Sequence, residues 1–213
     1  MKLSLHYYSR MRFVYNLLPQ LTAAFRGNNL SRVVTVLGTG NEGPLYLDDL
    51  SLKTHYSFTN YFRHTFTMSS LAVSHLAASH PQTTFIHSFP SVVKRTLCET
   101  STPLIKGLVL GLFSSVLSAW TVPLEESGER HLYAARSDAY PPVGRQGPVG
   151  VYTATGAGGV TGSRAYLLHW DGSPPNKKVK LLREYQLSGV EDQVWEHTLE
   201  VFDKVCGQPD GKY

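Results

Sequence analysis

Arg32-Val33-Val34-Thr35-Val36-Leu37 and Thr83-Thr84-Phe85-Ile86-His87-Ser88-Phe89 are the two stretches on which the fold turns. The first is a β-branched run bounded by Gly27-Asn28-Asn29 before it and Gly38-Thr39-Gly40-Asn41 after it. The second stops at Pro90, which has no N–H to give to a ladder. Both read as strands, and the near-continuous apolarity of the first predicts one covered on both faces. Between them, residues 60–79 place Met68, Leu71, Ala72, His75, Leu76 and Ala77 on one face of a helix. Ahead of them, residues 3–25 repeat Leu5, Tyr8, Phe13, Leu17, Leu18 and Leu21 at helical spacing, with Arg10, Arg12 and Gln20 in the gaps. Helix, strand, helix, strand predicts parallel crossovers and an α/β fold.

Further along, residues 125–130 read as a turn and Leu132-Tyr133-Ala134-Ala135 as one more strand. Proline and glycine then crowd the chain from Tyr140-Pro141-Pro142 to Pro148, which predicts a boundary. We therefore expect a core over residues 1–139 and a small C-terminal appendage over 140–213, made of a loop, a hairpin and a terminal helix. That helix, residues 191–206, carries Val194, Trp195, Thr198, Leu199, Phe202 and Val205 on one face and is expected to dock on the sheet edge. The glycine-dense stretch Gly156-Ala157-Gly158-Gly159-Val160-Thr161-Gly162 lies between two strand-like runs, so it predicts a hairpin. No helix follows it to present its N-terminus to a phosphate.

Composition bounds the function. The 213 residues, 42% apolar, suffice for one core. The net charge of +4 is scattered except at Lys177-Lys178-Val179-Lys180 with Arg183. No base-stacking aromatics are interleaved with that cluster, so nucleic acid is not an expected partner. Nine histidines are dispersed, and His75 and His80 lack the spacing and acidic partner of a helical metal pair; no metal site is expected. Cys98 and Cys206 lie far apart with no leader segment ahead of them, which predicts a cytoplasmic protein. The apolar run 104–113, continuing through Val116, Leu117 and Trp120, is interrupted by Lys106 and by serines, and is too short for a membrane span of roughly 20 residues. A substrate lid, a buried helix and a dimer face all remain open for it.

The order of these motifs resembles the short-chain dehydrogenase/reductase family, and within it a fungal oxidoreductase branch whose members often act in secondary metabolism. Four stretches carry the resemblance: His6-Tyr7-Tyr8-Ser9-Arg10-Met11-Arg12-Phe13 with Leu17-Leu18-Pro19; Arg32 to Gly38; Phe85-Ile86-His87-Ser88-Phe89-Pro90-Ser91-Val92-Val93; and Glu126-Ser127-Gly128-Glu129-Arg130. A fainter likeness reaches Trp195-Glu196-His197 and Val201-Phe202. The resemblance implies a partial doubly wound, Rossmann-like parallel sheet: the C-terminal half of the family's domain, with the N-terminal cofactor-binding half missing. It also implies NADP or NAD as cofactor, a small-molecule substrate, and Pro90, Val92 and Val93 beside the nicotinamide. A half-domain of this kind exposes a sheet edge, so a homo-oligomer through that edge or the apolar lid is expected.

Family chemistry uses a serine to orient a carbonyl, a tyrosine to move the proton, and a lysine one helical turn later to lower the tyrosine pKa. Matched onto this chain, the serine position falls at Gly38, with Thr39 the nearest hydroxyl. The tyrosine and lysine positions fall near Phe62 and Phe66, within a residue or two, and neither phenylalanine moves a proton. The candidates are therefore Tyr61 for proton transfer, Thr39 for the carbonyl, and His64 for positive charge. The family's bracing asparagine falls near His6, and Ser91 stands where a glycine usually follows the strand-ending proline. Two readings stay open: an oxidoreductase acting on a ketone or secondary alcohol of a small apolar metabolite, or a truncated, catalytically silent homologue that binds or scaffolds, with no cofactor. A third, weaker one is a cofactor-free enzyme using His64 or His87 as acid or base.

Overall fold

In the computed structural model, the described residues are 3–27, 29–93, 121–143, 150, 152–162, 165–175 and 179–207. A π-helical turn, Ser4–Tyr8, runs directly into α1, Ser9–Arg26. Then follow β1, Arg32–Val36; α2, Phe58–Ser79; and β2, Thr84–Ser88. Two short strands, β3 (Val92–Val93) and β4 (Thr121–Val122), pair in parallel with each other. The chain ends with α3, Leu124–Arg136; β5, Ala165–Leu168; α4, Val179–Leu187; and α5, Val190–Cys206. The main sheet has the order β1-β2-β5, and both pairings are parallel. The α/β, partial Rossmann-like fold expected from the sequence is the fold observed.

Side-chain alternation gives each face of this sheet its own core. Phe85, Ala165 and Leu167 face α2 and pack with Met68, Leu71 and Leu76. Tyr7 and Met11 join them from the N-terminal helix, and Val194, Trp195 and Phe202 from α5. On the opposite face Ile86, Tyr166 and Leu168 pack with Ala134 of α3 and with Ala139, Tyr140 and Ala154. The central strand β2 is buried along its whole length, Thr84, His87 and Ser88 included, whereas β1, expected to be covered on both faces, is an edge strand and only partly buried. Arg32 ties the second face together, donating from Nη1 to the Ala134 carbonyl (2.9 Å) and from Nη2 to the Tyr140 carbonyl (2.7 Å).

Helix α2 begins two residues ahead of the periodic pattern because the Ser57 side chain caps it, accepting the Asn60 N–H at 3.1 Å. The stripe read for the first helix is half right: Tyr8 and Leu18 are buried and Leu21 packs on the core. Tyr7, Met11, Val14 and Leu18 are buried, whereas Leu5, Phe13 and Leu17 are exposed. Within α1 the buried positions Met11, Val14 and Leu18 keep the helical period, and Phe13 and Leu17 lie off that face. The strand expected at 132–135 is instead the second half of α3. Glu125 and Glu126 in its first turn suit the positive helix N-terminus, so the Ser127-Gly128 pair that reads as a turn is carried within the helix.

The terminal helix α5 packs on α2, α4 and the π turn, not on the sheet edge. Tyr7 and Thr198 hydroxyls pair at 2.7 Å, and the Tyr8 hydroxyl meets His197 Nε2 at 2.8 Å. Strand β5, from beyond residue 140, lies in the same sheet as β1 and β2. The glycine-dense stretch forms the expected hairpin, closed by the antiparallel bridge Thr155↔Thr161. The apolar run 104–120, the stretch Lys94-Arg95-Thr96, Cys98 and Lys177-Lys178 lie outside the described residues. Among the described residues no helix is long and apolar enough to cross a membrane.

Beyond β2 and Pro90, Ser91 takes a left-handed backbone with φ +63°. An L residue costs about 1–2 kcal/mol there, which glycine avoids. Ser91→Gly is therefore expected to raise the unfolding free energy by about 1 kcal/mol, read from the midpoint of urea denaturation.

Candidate functional site

In an open parallel sheet the crevice outside the carboxyl ends of the strands is the place for chemistry. Here that crevice begins at the loop after β1. Glu42, almost fully buried, is its centre. Its carboxylate accepts the Thr39 hydroxyl (3.1 Å), the Gly40 N–H (2.8 Å) and the Ser70 hydroxyl (2.8 Å). Ser70 also meets His87 Nδ1 at 2.9 Å, and His87 Nε2 lies 3.3 Å from the Gly38 N–H.

The backbone N–H sets the direction of every link. Because Gly38 N–H can only donate, His87 Nε2 accepts, Nδ1 carries the proton, and Ser70 takes it while giving its own to Glu42. Ser70 and His87 resemble part of a nucleophile–base pair, yet their polarity is reversed: the serine proton points at the carboxylate and the imidazole donates to the serine. His87 is held neutral. Burial, with the Arg10 charge acting in the same direction, pushes its pKa down to about 3.

His64 is equally committed. Its Nε2 accepts the Tyr46 N–H (3.0 Å), which leaves Nδ1–H facing the Leu50 carbonyl (3.4 Å), and burial lowers its pKa. Both histidines brace the long loop 37–57 against α2 and β2. Thr67 adds a two-way clamp on Gly43, accepting its N–H at 2.9 Å and donating to its carbonyl at 2.8 Å. Asp49 folds the far end of the loop, accepting the backbone N–H groups of Lys53, Thr54 and His55 at 2.7, 2.8 and 2.9 Å. Burial alone would raise the Asp49 pKa, but these bonds and that of the Thr54 hydroxyl together hold it well below the carboxylate range.

Tyr61 and His6 form the second cluster. The Tyr61 hydroxyl, on buried Tyr61, is hydrogen-bonded to His6 Nδ1. The π turn presents His6 to it, a geometry often found where a helix carries function. Arg10 reaches the same end of the sheet, donating from Nη1 to the Val36 carbonyl at 2.7 Å. Burial raises the Tyr61 pKa, and the Arg10 charge opposes this only in part. A buried neutral phenol beside an imidazole and a guanidinium can donate a proton. His6 and Arg10 carry no family-type motif; only the position of His6, where the family's asparagine falls, was a signal.

Phe62 and Phe66, near which the resemblance places the family's tyrosine and lysine, extend this edge as an aromatic ladder. Phe58 and Phe62 meet edge to face at 4.7 Å, and Phe62 and Phe66 lie 5.5 Å apart. Phe66 ends the ladder on Gly38: a Cβ built on Gly38 would stand 2.4 Å from its ring. The bare backbone at 38 and the ring at 66 fit one another as a single packing arrangement. Thr39 is buried with its hydroxyl on Glu42. Pro90 and Val93 are half-buried and Val92 is exposed, all at the carboxyl end of β2.

The chain is similar to fungal oxidoreductases. It is 39% identical over 209 residues to oxidoreductase AN1596 of Emericella nidulans, an alignment covering 94% of this chain and 61% of that protein. To oxidoreductase andH of Emericella variicolor it is 35% identical over 215 residues, covering 94% and 60%. To the NmrA-like family domain-containing oxidoreductase notO of an Aspergillus species it is 31% identical over 202 residues, covering 94% and 56%. The chain thus spans about three fifths of the length of these relatives. No family model and no solved structure matches it.

A nicotinamide dinucleotide, which the resemblance implies, needs free backbone N–H groups for its pyrophosphate. The described residues do not fit that half of the cofactor. Gly40 N–H is given to Glu42, the Phe66 ring covers Gly38, and no glycine-rich turn among them leads from a strand into a helix. Among the described residues no group of three or more His, Cys, Asp or Glu side chains could hold a metal.

The Gly38–Phe66 contact is tested by a double-mutant cycle. Gly38→Ala is expected to cost about 1–3 kcal/mol through overpacking. In a Phe66→Ala background the same change should cost clearly less, so the pair is non-additive. A second test uses the buried imidazole. An unfolded-chain histidine titrates near about 6.5, so as pH falls the unfolded state takes up the proton first. The His87 contribution is full above about pH 6.5 and is lost progressively toward about 3, with His64 acting in the same sense. Urea unfolding should show lower stability at about pH 4.5 than near pH 7, and His87→Gln should flatten that slope.

Proposed function

We propose that the chain is the substrate-side portion of a short-chain-type oxidoreductase. It acts on a ketone or secondary alcohol of a small apolar metabolite, of the kind fungal secondary metabolism handles. The observation that carries this reading is the Tyr61–His6 pair beside Arg10 at the carboxyl end of β1.

In this reading Tyr61 gives its proton to a carbonyl oxygen as that oxygen gains negative charge. With His6 donating from Nδ1 to the Tyr61 oxygen, the phenolic proton is free for the ligand, and His6 stabilises the phenolate as it forms. Arg10 takes over the electrostatic part that a lysine plays in the family, from α1 in place of α2. A phenol whose pKa burial has raised is a donor and a poor base at neutral pH, which favours the reductive direction. Thr39 and His64 act as positioning residues for the loop 37–57, Thr39 through Glu42 and His64 through Tyr46 and Leu50. Pro90, Val92 and Val93 would border the nicotinamide ring. The chemistry such a cofactor supplies is the hydride.

A second reading, a catalytically silent binding or scaffolding subunit, is favoured by the Phe66 ring on Gly38, which leaves no carbonyl-orienting hydroxyl free. Fluorescence titration with NADPH and NADH separates the two. Saturable binding at micromolar concentration supports the oxidoreductase, and millimolar or no binding supports the silent subunit. Given binding and turnover of a ketone, Tyr61→Phe should lower kcat about 100-fold or more while leaving the dinucleotide affinity unchanged. An unchanged kcat would remove Tyr61 from the relay.

A further inference from the structure

The N-terminal helix and α5 leave a groove of about 550 Å³ between them. Its size lies within the range of small-molecule pockets, about 300–1,000 Å³. From Ser4 to Asn16 the groove follows the N-terminal helix for roughly 18 Å, at about 1.5 Å per residue. A slot of that shape suits a linear chain better than a ring system. Its apolar walls are Phe13, Val201, Phe202 and Val205, of which Phe13 and Val205 are exposed. Apolar surface left open to water is what an alkyl chain would cover.

A single charge meets this slot. No Lys, Asp or Glu side chain lines it, and Arg12 is its one arginine. Arg12 is half-buried, with Cζ 5.1 Å from the centre of the Phe202 ring and 5.7 Å from that of Tyr15. Those contacts use the delocalised charge and consume none of the N–H donors. Arg10, one turn away in sequence terms, is given to the Val36 carbonyl, but Arg12 has neither an ion pair nor a hydrogen-bond acceptor among the described residues, and its nitrogens stay open to solvent. The carboxylates of Glu196 and Glu200, also on α5, line a separate hollow with His197. The other polar groups of the groove bring no charge. The Tyr8 hydroxyl meets His197 Nε2 at 2.8 Å, the Ser9 hydroxyl donates to the Leu5 carbonyl at 2.9 Å, and Ser4 and Asn16 are neutral.

We propose that this groove binds a linear alkyl carboxylate, with the carboxylate on the Arg12 guanidinium and the chain along Phe13, Val201 and Val205. A guanidinium matches a carboxylate with two parallel N–H···O bonds. The Phe202 ring shields one side of the pair from water, which strengthens it. Charge selects against an alkylammonium, and the length of the apolar wall selects against a short acid. The inference does not rest on the oxidoreductase reading, because its residues belong to neither the Tyr61 cluster nor the Glu42 network and its test uses no cofactor.

The test is an NMR chemical-shift titration of the full chain with octanoate, 1-octanol, octylammonium and butanoate. Octanoate is expected to bind first, with octanol roughly tenfold weaker for want of a charge-assisted bond. Butanoate should be at least about tenfold weaker than octanoate for want of buried methylenes, and octylammonium weakest of the eight-carbon ligands. Arg12→Gln should bring octanoate to the level of octanol and leave octanol unchanged, whereas Arg12→Lys, which keeps the charge, should retain part of the preference. Val205→Ser alters an exposed wall residue and should weaken octanoate and octanol by the same factor. Equal affinity for octanoate and octanol, tighter binding of octylammonium, octanoate affinity unaffected by Arg12→Gln, or no octanoate binding at millimolar concentration would each overturn the proposal. Co-sedimentation with phosphatidylglycerol vesicles by a chain that ignores octanoate would also overturn it, and would mark the groove as a membrane-facing surface.

Discussion

A buried carboxylate governs the carboxyl end of this sheet. Taking a carboxylate out of water costs several kcal/mol unless hydrogen bonds replace its hydration. Glu42 recovers that cost through Thr39, Gly40 and Ser70, three donors drawn from its own loop and from α2. The chain of bonds continues through His87 to Gly38, so the loop after β1, helix α2 and strand β2 are held by one network whose polarity a single backbone N–H dictates. Networks of this kind act as a unit, and their members are not free to act elsewhere. That is why a serine and a histidine in contact with an acid are a brace here and not a nucleophile.

The same constraint accounts for where reactive groups can sit. With Glu42 holding the Gly40 N–H and Phe66 lying on Gly38, the loop offers neither a phosphate cradle nor a carbonyl-orienting hydroxyl from the position where the family has one. The groups able to move a proton come from the N-terminal helix. His6, delivered by the π turn, bonds the Tyr61 hydroxyl of α2, and Arg10, from the first turn of α1, bonds the Val36 carbonyl at the end of β1. Positive charge beside a tyrosine is thus supplied across a helix–helix contact, where the family's pattern supplies it within one helix.

Much of the fold was legible because β1, α2 and β2 obey one period each. Residues 33–37 are largely β-branched and Phe85 and Ile86 centre the second run, which suits strands, although only β2 is buried along its length and β1, at the sheet edge, is partly buried; 60–79 keep the helical period to the last turn. The readings that failed did so where two local signals compete. Ser127-Gly128 is turn-forming by composition, yet Glu125 and Glu126 ahead of it and Ala134 packed on Ile86 and Tyr166 outweigh it and keep α3 helical. In the first helix apolar residues lie on more than one face: Tyr8 and Leu18 of the predicted stripe are buried, whereas Leu5, Phe13 and Leu17 are exposed, so hydrophobicity alone does not pick out the buried side. Of the site, Tyr61, Thr39 and His64 could be named from the family's spacing, whereas Glu42 sits in an ordinary Asn41-Glu42-Gly43-Pro44 loop with nothing to mark it. Its partners Ser70 and His87 belong to other elements, and only the parallel crossover brings them together.

Strand β2 carries the last consequence of that crossover. His87 faces the Glu42 network and Ser88 faces a cavity walled by Tyr133, Tyr140 and Trp170, so two adjacent residues serve opposite sides of one sheet. A slip of one residue in the β1–β2 register would exchange them, placing an imidazole in the cavity wall and a small hydroxyl against Ser70. The register is pinned by Phe85 and Ile86, which are buried in different cores and differ in shape. Packing on each face therefore specifies the chemistry on the other. Through β2 the backbone is the shortest link between the Glu42 network and the cavity, and it carries position without carrying charge. Substitutions confined to one face can then change what that face binds while leaving the hydrogen bonds of the other in place.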